Sequence, residues 1–196
     1  MRRFQGAAWR DKKGFTLVEL TVTIAVIGVM AMLAIPNFIA STLPSIRLKG
    51  ATRELASDLR YARSLAIANN IIYWVVFEKP AGAFNQTYTI RQLTINGPVV
   101  KTVNLSQEYI GTVIGTGTPE VTSRPPEFPT GGPPSAVTFL DDSIQLDQLG
   151  RATKGAAPEN GEIYLTNSTG EVYSVTLLGS SGRVKIYKWM GASWAS

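Results

Sequence analysis

The sequence predicts an α+β protein: a long N-terminal helix, half transmembrane and half amphipathic, packed on an antiparallel β-domain of two sheets. Three observations predict it. Residues 15–35 form an apolar run whose only ionisable side chain is Glu19. Small and apolar residues then recur three and four apart as far as residue 69. From residue 71 onward, short β-branched and aromatic runs are divided by Gly, Asn and Pro. The expected organisation is a basic leader over 1–14, a helix over 15–69 and a β-domain over 70–196. The helix divides into a membrane and assembly part (15–35) and an amphipathic part (36–69).

The leader carries Arg2, Arg3, Arg10, Lys12 and Lys13 against one acid, Asp11. It accounts for most of the net charge of +5. From Phe15 onward, 14 bases face 13 acids, so the basicity is not spread over a folded surface. The chain has no Cys and no His. That excludes disulfides, thiolate metal sites and histidine-based acid–base catalysis, and with them a Ser-His-Asp triad. No phosphate-binding glycine loop and no calcium-loop spacing occurs; Asp141, Asp142 and Asp147 read as turn residues. The expectation is a non-enzyme without metal or cofactor.

As a helix, residues 15–35 would be about 30 Å long, matching a bilayer core. The preceding bases predict a single pass with the N-terminus in the cytoplasm and the rest exported. A cleavable secretory signal is the alternative, but its apolar core is shorter. Glu19 costs about 3 kcal/mol in such a segment and so predicts a partner.

The run Lys12-Lys13-Gly14-Phe15-Thr16-Leu17-Val18-Glu19-Leu20 resembles the processing site of type IV pilins and type II secretion pseudopilins. The resemblance implies that a prepilin peptidase cuts between Gly14 and Phe15 and that Phe15 is N-methylated. It also implies that Glu19 serves assembly by meeting the new α-amine of a neighbouring subunit. The physics suits this: glycine admits a protease to the backbone, and pairing an amine with a buried carboxylate offsets two desolvation costs. Gly28 and Pro36 are expected to kink the helix, Pro36 by removing a hydrogen bond and crowding the preceding turn. Related pilins have a proline at this distance from the cut.

Leu48, Ala51, Leu55, Leu59, Ala62 and Ala66 define one helix face, and Asn69-Asn70 a stop. Segment 54–66 is similar to the helix of H-type pseudopilins and FimT-like minor pilins. Arg47, Lys49, Arg53, Arg60 and Arg63 read as a solvated face or as contacts to other subunits. Strands are expected at 71–77, 87–95, 99–105, 136–140, 143–146, 162–166, 171–178 and 183–189. The 22 residues 115–136 hold six prolines and four glycines and read as a long exposed loop.

In the last strand Arg183, Lys185 and Tyr187 share one face, opposite Val184, Ile186 and Lys188. Gly182-Arg183-Val184-Lys185 resembles the Gly-Arg-x-Arg motif of DNA-uptake minor pilins, with Lys in place of the second Arg. Lysine keeps the charge but loses the bidentate fork. Arg183, Lys185 and Lys188 are thus the candidate nucleic-acid contacts, with an edge strand guarded by charges as the alternative.

The resemblance as a whole implies a minor pilin or pseudopilin near a filament tip. The implied setting is the bacterial inner membrane with a periplasmic C-terminal domain, then the filament. The implied partners are prepilin peptidase, other pilin or pseudopilin subunits, the inner membrane and an assembly platform, with DNA as a further possibility. Two alternatives are a DNA-binding minor pilin and a membrane-anchored enzyme or sensor with an unrelated β-domain.

Overall fold

The computed structural model describes residues 14–79, 84–117, 121–129 and 134–196. The leader, apart from Gly14, lies outside them. By internal contacts the chain divides into two units, Met1–Ser41 and Thr42–Ser196.

Helix α1 spans Leu17–Asn69 and passes through Gly28, Pro36 and Pro44 without a break. Thr16 precedes it and its Oγ1 accepts a hydrogen bond from the Glu19 N–H at 3.1 Å. That is one half of a capping box: Thr at the N-cap satisfies an otherwise unpaired amide of the first turn, and the Glu three residues on complements the positive end of the helix dipole. Thr21 and Thr23 turn their hydroxyls back onto the Val18 and Glu19 carbonyls. At the other end Asn70 takes a positive φ of 53° and ends the helix.

Eleven strands follow, all paired antiparallel. The first sheet has the order β3-β2-β1-β5-β6-β7, from Tyr73–Phe77 (β1), Thr87–Gln92 (β2), Val99–Asn104 (β3), Ser143–Leu146 (β5), Ala152–Lys154 (β6) and Ala157–Pro158 (β7). The second has the order β11-β10-β9-β8-β4, from Thr112–Ile114 (β4), Gly161–Asn167 (β8), Val172–Leu178 (β9), Arg183–Trp189 (β10) and Trp194–Ala195 (β11). A short helix α2, Leu105–Glu108, precedes β4.

Within the unit Thr42–Ser196, one apolar core joins α1 to the inner faces of both sheets. The helix contributes Leu48, Ala51, Leu55, Leu59, Ala62 and Ala66, the face that the spacing predicts, and all six are buried. Val75, Ile90, Ile144 and Leu146 meet it from the first sheet, and Ile163, Leu165, Val175 and Leu177 from the second. Alanines on the helix let the strands approach closely, while each leucine interlocks with several side chains. Asp58, buried on the same helix, accepts hydrogen bonds from the Tyr88 hydroxyl and the Lys101 ammonium, 2.8 and 2.7 Å away. Burial first, and then the Asp58 charge, push the Tyr88 phenol far above its usual range.

The membrane-crossing half expected over 15–35 is corrected: among the described residues no helix is long and apolar enough to cross a membrane. The single-pass inner-membrane topology, with its cytoplasmic N-terminus and periplasmic domain, falls with it. The physical reason is that the apolar run has no helix of its own. It opens a 53-residue helix, carries a carboxylate in the first turn and continues without interruption into a stretch bearing Arg47, Lys49, Arg53, Glu54 and Asp58.

Two further expectations change. No strand forms over 136–140; Val137 makes an isolated bridge to Ile163, and Leu140–Asp142 is a 3-10 turn. Segment 115–136 is less exposed than its composition suggests, because Val121 is fully buried. Val121 packs with Tyr164 and Val172 on the outer face of the second sheet, beside Trp189 and Trp194. The Ser123 carbonyl accepts the Trp194 indole N–H at 3.0 Å. The proline-rich segment is therefore a strap, whose fixed φ angles reduce the entropy lost in laying it on the sheet.

Candidate processing and assembly site

Gly14, Phe15, Thr16 and Glu19 line one open depression at the start of α1. Gly14 has nothing near the position a Cβ would take. Phe15 is 83% exposed. The structure thus brings the three sequence-predicted residues of the cut and the assembly carboxylate together, leaving the Gly14–Phe15 bond open to an enzyme. Among the described residues Glu19 makes no ion pair, and its carboxylate lies on the surface. Thr16, which the sequence pattern does not single out as functional, fixes the first turn that carries Glu19; the spacing Thr-x-x-Glu is the signal that could have found it.

Beyond this depression the helix surface is apolar all round. Val18, Val22, Val26, Val29 and Met30 are each more than half exposed, as are Leu20, Ile24 and Ile27 on other faces. A helix without a polar face needs cover on every side. Gly28 has no neighbour near its would-be Cβ.

The candidate nucleic-acid residues do not gather into one patch. Arg183 and Lys185 lie on the outer face of β10 with Tyr187, as alternation requires, whereas Lys188 lies on the other side. Each holds a carboxylate. Glu127 of the strap accepts Arg183 at 2.7 Å and Lys185 at 3.0 Å through one oxygen, and the Thr176 hydroxyl at 2.7 Å through the other. Partial burial raises Glu127, but the Thr176 and Lys185 hydrogen bonds and the two cationic charges outweigh it and hold the carboxyl below its usual value. Lys188 pairs with Glu171 at 2.8 Å and stands over the Tyr173 ring. No local signal links Glu127 to a strand 56 residues away.

Gly182, the glycine of the motif beside those cations, has a packing role. Its φ is +63°, and a Cβ there would collide with the Gly150 carbonyl. Arg63 donates to that carbonyl from Nε at 3.0 Å, and Arg60 donates to the Val184 carbonyl at 3.3 Å. Two of the five bases expected on a solvated helix face thus fasten loops and strand of the same chain. Arg47 adds a long contact to the Ile110 carbonyl.

Beneath the strap, Glu162 is fully buried. Its Oε2 accepts the Tyr164 hydroxyl at 2.7 Å, Arg124 stands 3.9 Å away, and its Oε1 has no partner among the described residues. Burial pushes its carboxyl above the usual range, against the hydrogen bond and the Arg124 charge. Among the described residues no group of three or more Asp or Glu is placed to hold a metal ion.

Against this geometry, residues 9–35 match the family model for the prokaryotic N-terminal methylation motif. The match covers the basic stretch, Gly14, Phe15, Glu19 and the apolar run. No curated protein matches the sequence. Two solved structures are similar in fold. The type IV minor pilin FimU of Pseudomonas aeruginosa is 12% identical, with a TM-score of 0.46 over 70% of this chain and 90% of its own. The minor pseudopilin EpsH from the Type 2 Secretion System of Vibrio cholerae is 13% identical, with a TM-score of 0.43 over 71% of this chain and 95% of its own.

Proposed function

We propose that the chain is a minor filament subunit of the type IV pilin or pseudopilin kind, matured by cleavage between Gly14 and Phe15 and methylation of Phe15. The observation that carries this reading is the juxtaposition at the start of α1: an open Gly14–Phe15 bond, a surface carboxylate at Glu19 and a helix apolar on all sides. The methylation-motif match over 9–35 supports it independently of the fold.

Cleavage creates an amine at Phe15. When α1 packs among the equivalent helices of neighbouring subunits, Glu19 of one and the Phe15 amine of the next leave water together. A buried charge deprived of its partner costs about 3–5 kcal/mol, so the pair favours one axial register over its neighbours. The partners on this reading are prepilin peptidase, sibling subunits and an assembly platform. The large strapped β-domain suits a subunit near the tip rather than one repeated along a shaft. The DNA-binding alternative is not adopted, because Arg183, Lys185 and Lys188 already hold carboxylates.

The deciding measurement is the N-terminus and intact mass of the protein from cells with and without prepilin peptidase. A methylated chain beginning at Phe15, formed only with the peptidase, is expected. An intact Met1 start in both strains overturns the reading. Given correct cleavage, Glu19→Val is expected to give processed chains that fail to enter filaments.

A further inference from the structure

The outer face of the first sheet carries a cavity of about 220 Å³ that the filament reading does not use. Its floor is a row of cross-strand neighbours: Trp74 of β1 faces Gln145 of β5, which faces Thr153 of β6. Ser143, Lys154, Asp141 and Glu159 complete the polar part of the lining. Two lining residues hold buried polar atoms with no hydrogen-bond partner among the described residues, the Trp74 indole Nε1 and the Thr153 Oγ1. Thr153 is only 2% exposed. Buried polar groups in folded proteins are almost always satisfied, so two such atoms in one cavity point to a ligand.

The donor set narrows its chemistry. The indole N–H can only donate, the threonine hydroxyl and the Gln145 amide can do either, and a ligand must both accept and donate to match them. An ammonium offers no acceptor for the indole. An anion meets Asp141 and Glu159 with only Lys154 in compensation, and Lys154 is already 3.3 Å from Asp141. A purely apolar group would leave both orphaned atoms unpaired, at a cost of about 1–3 kcal/mol each. A neutral polyhydroxylated ring fits: its hydroxyls answer the polar atoms, and its C–H surface suits the tryptophan ring. The volume holds one ring.

From these observations we propose that the Trp74–Gln145–Thr153 cavity binds a single pyranose unit, either a free sugar or the terminal residue of a glycan. The site does not depend on the filament reading.

The test is a titration of the ¹⁵N-labelled full chain with a panel of methyl pyranosides, following the tryptophan indole resonances, with glycerol, inorganic phosphate and methylammonium as controls. One indole signal, assigned to Trp74 by its loss in Trp74→Phe, is expected to shift saturably with at least one pyranoside and with none of the controls. A matching oligosaccharide binding more tightly than the methyl glycoside assigns the glycan source; equal binding assigns the free sugar. Thr153→Val keeps the side-chain shape and removes the hydroxyl. It is expected to weaken pyranoside binding about tenfold while leaving the melting temperature equal or higher, because an unpartnered buried hydroxyl is removed. A merely structural threonine would move stability and leave binding alone. The proposal is overturned if no pyranoside shifts the signal saturably, if a control shifts it equally, or if Thr153→Val binds as the parent does.

Discussion

The two ends of α1 are made from similar amino acids and meet different fates. From Leu48 to Ala66 the apolar residues form a stripe, and the two sheets of the same chain cover it completely. From Leu17 to Leu33 there is no stripe: valine, isoleucine and methionine occur on every side, and most are more than half exposed. The difference is one of pattern rather than of hydrophobicity. A stripe can be satisfied by one neighbouring surface, which the chain supplies itself. An all-round apolar helix needs several neighbours and obtains them from outside the chain.

The largest expected effect sharpens this contrast. Leu59→Ala should lower unfolding stability by about 2–5 kcal/mol, since it opens a cavity in a filled core. Ile24→Ala should change it by no more than about 0.5 kcal/mol while reducing self-association. Denaturant unfolding and sedimentation of the same two variants measure both; equal destabilisation breaks the comparison.

Asp58→Ala comes next. It strips the acceptor from the buried Tyr88 hydroxyl and from Lys101, at about 2 kcal/mol, tempered because the Lys101 side chain is 35% exposed. If chemical denaturation shows no loss, the polar cluster contributes nothing to fastening the helix.

Thr16→Ala should act only at the other end. Loss of the N-cap costs about 1 kcal/mol locally, speeding hydrogen exchange at the amides of the first turn without moving the domain's melting temperature. A shift in that temperature would show that the first turn and the β-domain unfold together.

Glu162→Gln is the smallest effect and has a pH signature. Burial raises the native carboxyl above its unfolded value, so the native state gains stability as pH falls toward the unfolded value and loses it as pH rises through the native one. The glutamine variant does not titrate. It should melt slightly higher than the parent at neutral pH, the difference fading below about pH 4. A constant difference across pH would mean that Glu162 is not ionised beneath the strap.

Much of this contrast is legible in the sequence, because both helical patterns are local. The buried face from Leu48 to Ala66 follows from spacing alone, as do the hairpin at Gly179–Gly182 and the shared face of Arg183, Lys185 and Tyr187. What fails depends on distance along the chain. The proline-rich segment reads as exposed because nothing local reveals Tyr164, Val172 and Trp194 waiting beneath Val121. The cations of β10 read as available because Glu127 comes from that same strap. Short strands such as β4, β6 and β11 escape notice, since two or three residues carry too little periodicity to stand out. The apolar run reads as a membrane span when its length is weighed without the charged helix that continues from it.

Arg60 and Arg63 reach past the side chains of their neighbours to the carbonyls of Val184 and Gly150. Every amino acid supplies the same carbonyl. Residues facing outward on β10 and on the turns beside it can therefore be exchanged without loosening the fastening of the helix, provided Gly150 and Gly182 stay small. Diversification in this protein has a place to happen: an interchangeable outer surface mounted on a frame that does not register the change.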